Sequence, residues 1–101
     1  MVERAIRFLV EAASEAEQAL SYYLQQGGEP LGARFLAQID TALDLIAQHP
    51  EIGSQTSHGL RQLRLKRFPF SVVYGVRDED LIIIAIAHHR RKPGYWSQRS
   101  T

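Results

Sequence analysis

The spacing of apolar positions changes twice along the chain and divides it into elements. From Glu3 to Ala12, Ile6, Phe8 and Val10 alternate at the period of a half-buried strand and predict a short first strand. In "SEAEQALSYYLQQGG" the period lengthens. Ser14 and Glu17 stand at capping-box spacing, Ala16, Leu20, Tyr23 and Leu24 share one helical face, and Gly27-Gly28 can take the positive φ that ends a helix. A second helix is expected from just inside Pro30, where proline's missing N–H has no intrahelical partner. Phe35, Leu36, Ile39, Ala42, Leu43 and Ile46 form its apolar stripe, and His49-Pro50 ends it.

"EIGSQTSHG" reads as a polar connection, after which the period becomes two. In "LRQLRLKRF", Leu63 and Leu65 face one way and Gln62, Arg64 and Lys66 the other, so this strand should carry a basic row. Phe68-Pro69-Phe70 leads into "FSVVYGVR", with Phe70, Val72, Tyr74 and Val76 on one face. "RDED" turns the chain into the apolar run Leu81 to Ala87, the pattern of a strand covered on both faces. The order is β-α-α-β-β-β: an α+β fold with an antiparallel sheet core and two helices packed on one face, in a single domain over residues 1–101.

Composition narrows the chemistry. Without cysteine there are no disulfides, thiolate metal sites or cysteine nucleophiles, which fits a cytoplasmic protein. The longest apolar run has seven residues, against the roughly 18–20 that a membrane-spanning helix needs, so no membrane association is expected. The net charge of +1 hides a split. Residues 1–51 hold three arginines against eight acids, and residues 52–101 hold nine basic residues against Asp78, Glu79 and Asp80. A polyanion or an acidic protein segment would suit the second half; the alternative is that the halves attract each other within the fold.

The candidate chemistry lies in that basic half. Arg61, Arg64, Lys66 and Arg67 fall within one strand, Arg77 ends the next, and Arg90, Arg91 and Lys92 follow the last, so adjacent strands could gather them into a patch for phosphate or carboxylate. A solvated strand face is the simpler alternative. His88 and His89 are neighbours on an extended segment and point to opposite faces, which argues against a shared metal; with no HxH or HExxH spacing, neither a metal site nor a cofactor is expected. Tyr95 and Trp96, after Pro93-Gly94, could stack on a base, donate a hydrogen bond or cover the core.

Taken together, "SEAEQAL", "ARFLAQIDTALDLIAQHPEIG" and "GLRQLRLKRFPFSVVYGVRDEDLIIIAIAHHRRKPGYW", in that order and spacing, resemble the RelE/ParE superfamily of bacterial toxins. The resemblance implies the same β-α-α-β-β-β order, a type II toxin-antitoxin pair and a cognate antitoxin as partner. It implies one of two targets: DNA gyrase, poisoned by ParE-like members, or the ribosome with its messenger RNA, cleaved by RelE-like members without a metal. On a RelE-like reading Arg64, Lys66, His89, Arg90 and Tyr95 would be catalytic. A histidine or lysine would take the 2′ proton, Arg64 and Arg90 would stabilise the phosphorane, and Tyr95 would orient a base. Arg61, Arg67, Arg77, His88, Arg91, Lys92 and Trp96 would make binding contacts. RelE-like members carry an arginine within the third strand, whereas "FSVVYGV" has only Arg77 beyond it, and the "HHRRKPGYW" tail looks ParE-like. The chain thus reads as a ParE-like gyrase toxin, with the ribosome-dependent endoribonuclease and an inactive antitoxin-binding module as alternatives.

Overall fold

The computed structural model describes residues 4–56 and 58–99; Glu3 of the first expected strand and Ser57 of the expected connection lie outside them. Strand β1 (Ile6–Phe8) leads directly into helix α1 (Val10–Gln48). Strands β2 (Ser54–Gln55), β3 (Arg61–Arg64), β4 (Phe70–Arg77) and β5 (Asp80–His88) follow. They form one sheet in the order β1-β5-β4-β3-β2. The central pairings β5-β4-β3 are antiparallel, as expected, while β1 runs parallel to β5 and makes the sheet mixed. The two-residue β2, within what reads as a polar connection, adds a fifth strand on the β3 edge.

The two expected helices are arms of α1, separated at Gly28, whose φ of 70° and ψ of −164° are open to glycine almost alone. Pro30 then sits in the first turn of the second arm. The arms meet closely beyond the bend. A Cβ on Gly32 would lie 2.6 Å from Leu24 Cδ2, so a larger residue there would have to displace the Leu24 side chain. The first arm starts earlier than the capping-box spacing suggests. Leu9 donates its N–H to Ile83 O at 3.0 Å while its own carbonyl accepts from Ala13 N–H at 3.0 Å, so β1 stops and the helix begins at one residue. Val10 is therefore helical, and Ser14 accepts from Gln18 Nε2 at 3.3 Å within the helix.

Both arms bury their stripes on one sheet face. Ala12, Ala19, Phe35, Ile39, Ala42 and Ile46 pack against Phe70, Val72, Tyr74, Leu81, Ile83 and Ile86. Tyr23, Phe35, Phe68 and Phe70 interlock as tilted and edge-on rings, with Tyr23–Phe68 centroids 4.9 Å apart. Each fully buried large side chain contributes roughly 1.5–3 kcal/mol by leaving water.

An irregularity in the β4–β5 ladder shapes the opposite face. Val73 pairs with Ala85 but Tyr74 pairs with Ile83, so Ile84 is an extra residue. The bulge puts Ile84 and Ala85 together on the outer face and returns Ile86 to the helix face. A second cluster, Val73, Ile84, Ala85, Ala87 and Trp96, forms there. At the far edge the buried Tyr74 hydroxyl donates to Pro50 O at 2.7 Å and accepts from Gly53 N–H at 2.9 Å, pinning the approach to β2.

Gly28→Ala should lower stability by about 1–3 kcal/mol, because alanine cannot hold this backbone conformation without strain. The neighbouring exposed Gln26→Ala should stay within about 0.5 kcal/mol of the parent in urea unfolding.

Candidate functional site

Strand β1 ends at Phe8, so from Ile84 onward the β5 edge has no strand beside it. Glu15, in the second turn of α1, takes that place. Its Oε1 accepts the Ile86 N–H at 3.1 Å and Arg99 Nη1 at 2.8 Å, while Arg99 Nη1 also donates to Ile84 O at 2.9 Å. The carboxylate and guanidinium thus stand in for the carbonyl and amide of a neighbouring strand. Glu15 Oε2 accepts from Arg99 Nη2 at 3.0 Å, Tyr95 Oη at 2.5 Å and Arg91 Nη1 at 3.2 Å. The Glu15 and Arg99 side chains are only 13% and 15% exposed, so this is a shielded pair rather than a surface one. Burial by itself would raise the Glu15 pKa; hydrogen bonds from Arg99, Tyr95 and Ile86 outweigh it and hold the carboxyl below its ordinary value.

These contacts fasten the segment after β5. Gly94, at φ 76°, turns the chain, and successive bonds from Ser97 N–H to Gly94 O (2.9 Å) and Arg99 N–H to Trp96 O (3.0 Å) lay the tail over the outer face. Trp96 is buried against Val73, Ile84, Ala85 and Ala87. The Arg91 guanidinium stacks 3.7 Å from the Tyr95 ring centre. Burial and the Glu15 carboxylate push the Tyr95 hydroxyl up to about 12.

Between this tail and β3 lies an open cleft of about 640 Å³. Thr56, Gln62, Arg64, Ser71, His89 and Lys92 contribute to its walls, and among the described residues no Asp or Glu does. His89 Nε2 and Ser71 Oγ are 3.1 Å apart, while the His89 N–H donates to Pro69 O at 2.8 Å. Partial desolvation, then the Arg64 guanidinium, lower the His89 pKa below its ordinary range and favour the neutral ring. Arg64 and Lys92 have no ion pair among the described residues.

The expected site residues are only partly brought together. Arg64, His89, Arg91, Lys92, Tyr95 and Trp96 border the cleft, but Trp96 is a core wall and not an exposed stacking platform. His88 reaches its rim with a ring packed edge-on against Phe70, 4.9 Å away on the helix side, opposite His89. Arg61 leaves the expected basic row because the strand period turns it away from Arg64; it donates to Glu51 O and Gly53 O. Lys66 and Arg67 lie in the reversal after β3, with Arg67 at φ 69°, outside the cleft walls. Arg77 ends β4 opposite Asp80, at the other end of the strand from His89. Arg90 lies outside the cleft walls, its backbone N–H bonded to His88 Nδ1 at 3.0 Å.

The sequence reading missed Glu15, Ser71 and Arg99. For Glu15 a signal exists: it lies three residues after Ala12 and four before Ala19, both buried, so it shares the buried face of the first arm. Starting the helix at Ser14 had placed it off the stripe.

Residues 6–93 match the family described as the ParE toxin of type II toxin-antitoxin system, parDE. The chain belongs to the ParE toxin family. It is the toxin half of a type II pair, with a cognate antitoxin as partner. No curated protein sequence matches it. Its fold is shared with a chain of the chromosomal ParDE system of P. aeruginosa, at TM-score 0.72 and 21% identity over 85% of this chain and 96% of that one. It is shared also with YoeB from Staphylococcus aureus, a dimer in that structure, at TM-score 0.62 and 18% identity over 87% and 99%. Tyr95, Trp96 and Arg99 lie beyond the residues that the family match covers. Among the described residues no helix is long and apolar enough to cross a membrane, and no three metal-ligating side chains gather.

Glu15→Gln should cost about 3 kcal/mol, the lower part of the range for breaking a buried pair, since glutamine keeps an acceptor for Ile86 N–H. Because the folded pKa lies below the ordinary 4.5, the parent should lose the stability of this pair as pH falls through that folded value. The variant's urea midpoint should lack that acid-side drop. A second, smaller loss below pH 6.5, from protonating His89, should disappear in His89→Gln.

Proposed function

We propose that this toxin acts in the cytoplasm as a ParE-like poison of DNA gyrase, by protein-protein contact, and that its antitoxin neutralises it by covering the same outer face. The observation that carries this reading is the commitment of the would-be nuclease groups to structure. Cleavage by an internal 2′-hydroxyl needs a base on one side of the phosphate, an acid on the other and cations at its oxygens. His89 could accept a proton, since its pKa is lowered. Tyr95 makes a poor partner acid: it keeps its proton, donates it in a hydrogen bond to Glu15 Oε2, and has a pKa of about 12. Arg91 is paired to Glu15, and Arg90 and Lys66 lie outside the cleft walls. Arg64 and Lys92 remain, which suffice for contact but do not form a catalytic set. Inhibition by contact requires no cofactor.

The purified chain is to be added in parallel to gyrase supercoiling reactions and to ribosomes translating a defined messenger. Loss of supercoiling with intact messenger is expected. Ribosome-dependent cleavage with normal supercoiling would replace this reading by the endoribonuclease, and neither effect would leave an antitoxin-binding module.

A further inference from the structure

We propose that Ser71 is a covalent phosphoryl-acceptor site: His89 activates its hydroxyl, Arg64 and Lys92 hold the anionic donor, and that donor is a small acyl phosphate entering from the cleft. The inference goes beyond the contact reading above and stands whether or not gyrase is the target.

Strand register builds the site. Arg64 of β3 pairs directly with Ser71 of β4, so both side chains stand on the outer face, and Ser71 pairs in turn with Ala87 of β5, two residues before His89. The His89 backbone N–H, donating to Pro69 O at 2.8 Å, keeps that residue beside the start of β4. Its Nε2 lies 3.1 Å from Ser71 Oγ, the reach that an adjacent base needs to make serine a nucleophile. Desolvation, then the Arg64 guanidinium, lower the His89 pKa and keep the ring neutral at pH 7. In the Nδ1–H tautomer, Nε2 is free to take the serine proton.

Two observations select the donor. Ser71 is 4% exposed within a strand paired on both sides, so it is poorly placed to enter another enzyme's active site, whereas a small molecule in the cleft that it lines can reach it. The second is the balance of groups around it. Arg64 and Lys92 favour an anion, and His89 supplies a base, but Tyr95 is a poor acid because its proton is held in the bond to Glu15. The leaving group must therefore depart without a proton. An acyl phosphate meets this requirement: Ser71 Oγ bonds to phosphorus, the bond from phosphorus to the acyl oxygen breaks, the carboxylate leaves with the electron pair, and the serine proton passes to His89 Nε2. The product is phosphoserine. Its charge of about −1.5 to −2 would stand between Arg64 and Lys92 and cancel them.

The test is to incubate the full chain with acetyl phosphate and follow acid-stable phosphorylation by intact-protein and tandem mass spectrometry. Acid stability separates phosphoserine from phosphate on histidine or lysine. One phosphoryl group on Ser71 is expected, with the exposed Ser21 and Ser54 unlabelled. His89→Gln should slow the labelling about a hundredfold and Arg64→Ala about tenfold, each with an unchanged far-ultraviolet circular dichroism spectrum. A comparison on the parent chain alone uses phenyl phosphate, whose leaving group has a pKa of about 10 against about 4 for a carboxylic acid, and which should leave Ser71 unlabelled. No acid-stable label on Ser71, equal labelling of Ser21 or Ser54, an undiminished rate in His89→Gln, or equal labelling by phenyl phosphate would overturn the proposal.

Discussion

The half-buried Glu15–Arg99 pair is the contact on which the outer face depends. It exists because β1 is too short to accompany β5 along its length, which would leave Ile84 O and Ile86 N–H without a strand. A buried backbone donor or acceptor without a partner costs about 1–3 kcal/mol, so the open edge needs an occupant. A carboxylate from the acidic first half and a guanidinium from the basic tail supply it. The charge split along the sequence is thus partly satisfied within the fold, most consequentially at this pair.

From that anchor the outer face follows. With Arg99 fixed, the turn at Gly94 carries Trp96 onto Val73, Ile84, Ala85 and Ala87, and the β5 bulge is what gathers Ile84 and Ala85 there. The tail becomes one wall of the cleft and β3 the other. The same carboxylate engages two residues of the cleft wall, accepting hydrogen bonds from Tyr95 and Arg91. Arg64 and Lys92 are left as cations of the cleft wall without an ion pair among the described residues.

Much of the scaffold was legible in the sequence because it rests on local periodicity. The Phe35-Ile39-Ala42-Ile46 stripe, the break at Gly28 and the alternation through Phe70, Val72 and Tyr74 are properties of adjacent residues. What could not be read was long-range. The helix starts at Val10 because Leu9 bonds to Ile83, far away in sequence. The two residues of β2 carry no apolar alternation, and the bulge at Ile84 hides in a run where every position is apolar. The site was less legible than the fold for the same reason. Counting cations in sequence treats Arg61, Arg64 and Arg77 alike, whereas the pleat turns Arg61 aside and strand length carries Arg77 to the far end. Glu15, which organises the tail, was visible only as an acid on a buried helical face.

The claim that one carboxylate holds the tail, and with it the cleft, is tested most directly at Trp96, the chain's sole tryptophan. Acrylamide quenching of its fluorescence should be weak in the parent protein and markedly stronger in Glu15→Gln, with a red-shifted emission and an unchanged far-ultraviolet circular dichroism spectrum. Trp96 equally shielded in parent and variant would contradict it, because the tail would then stay in place without its anchor.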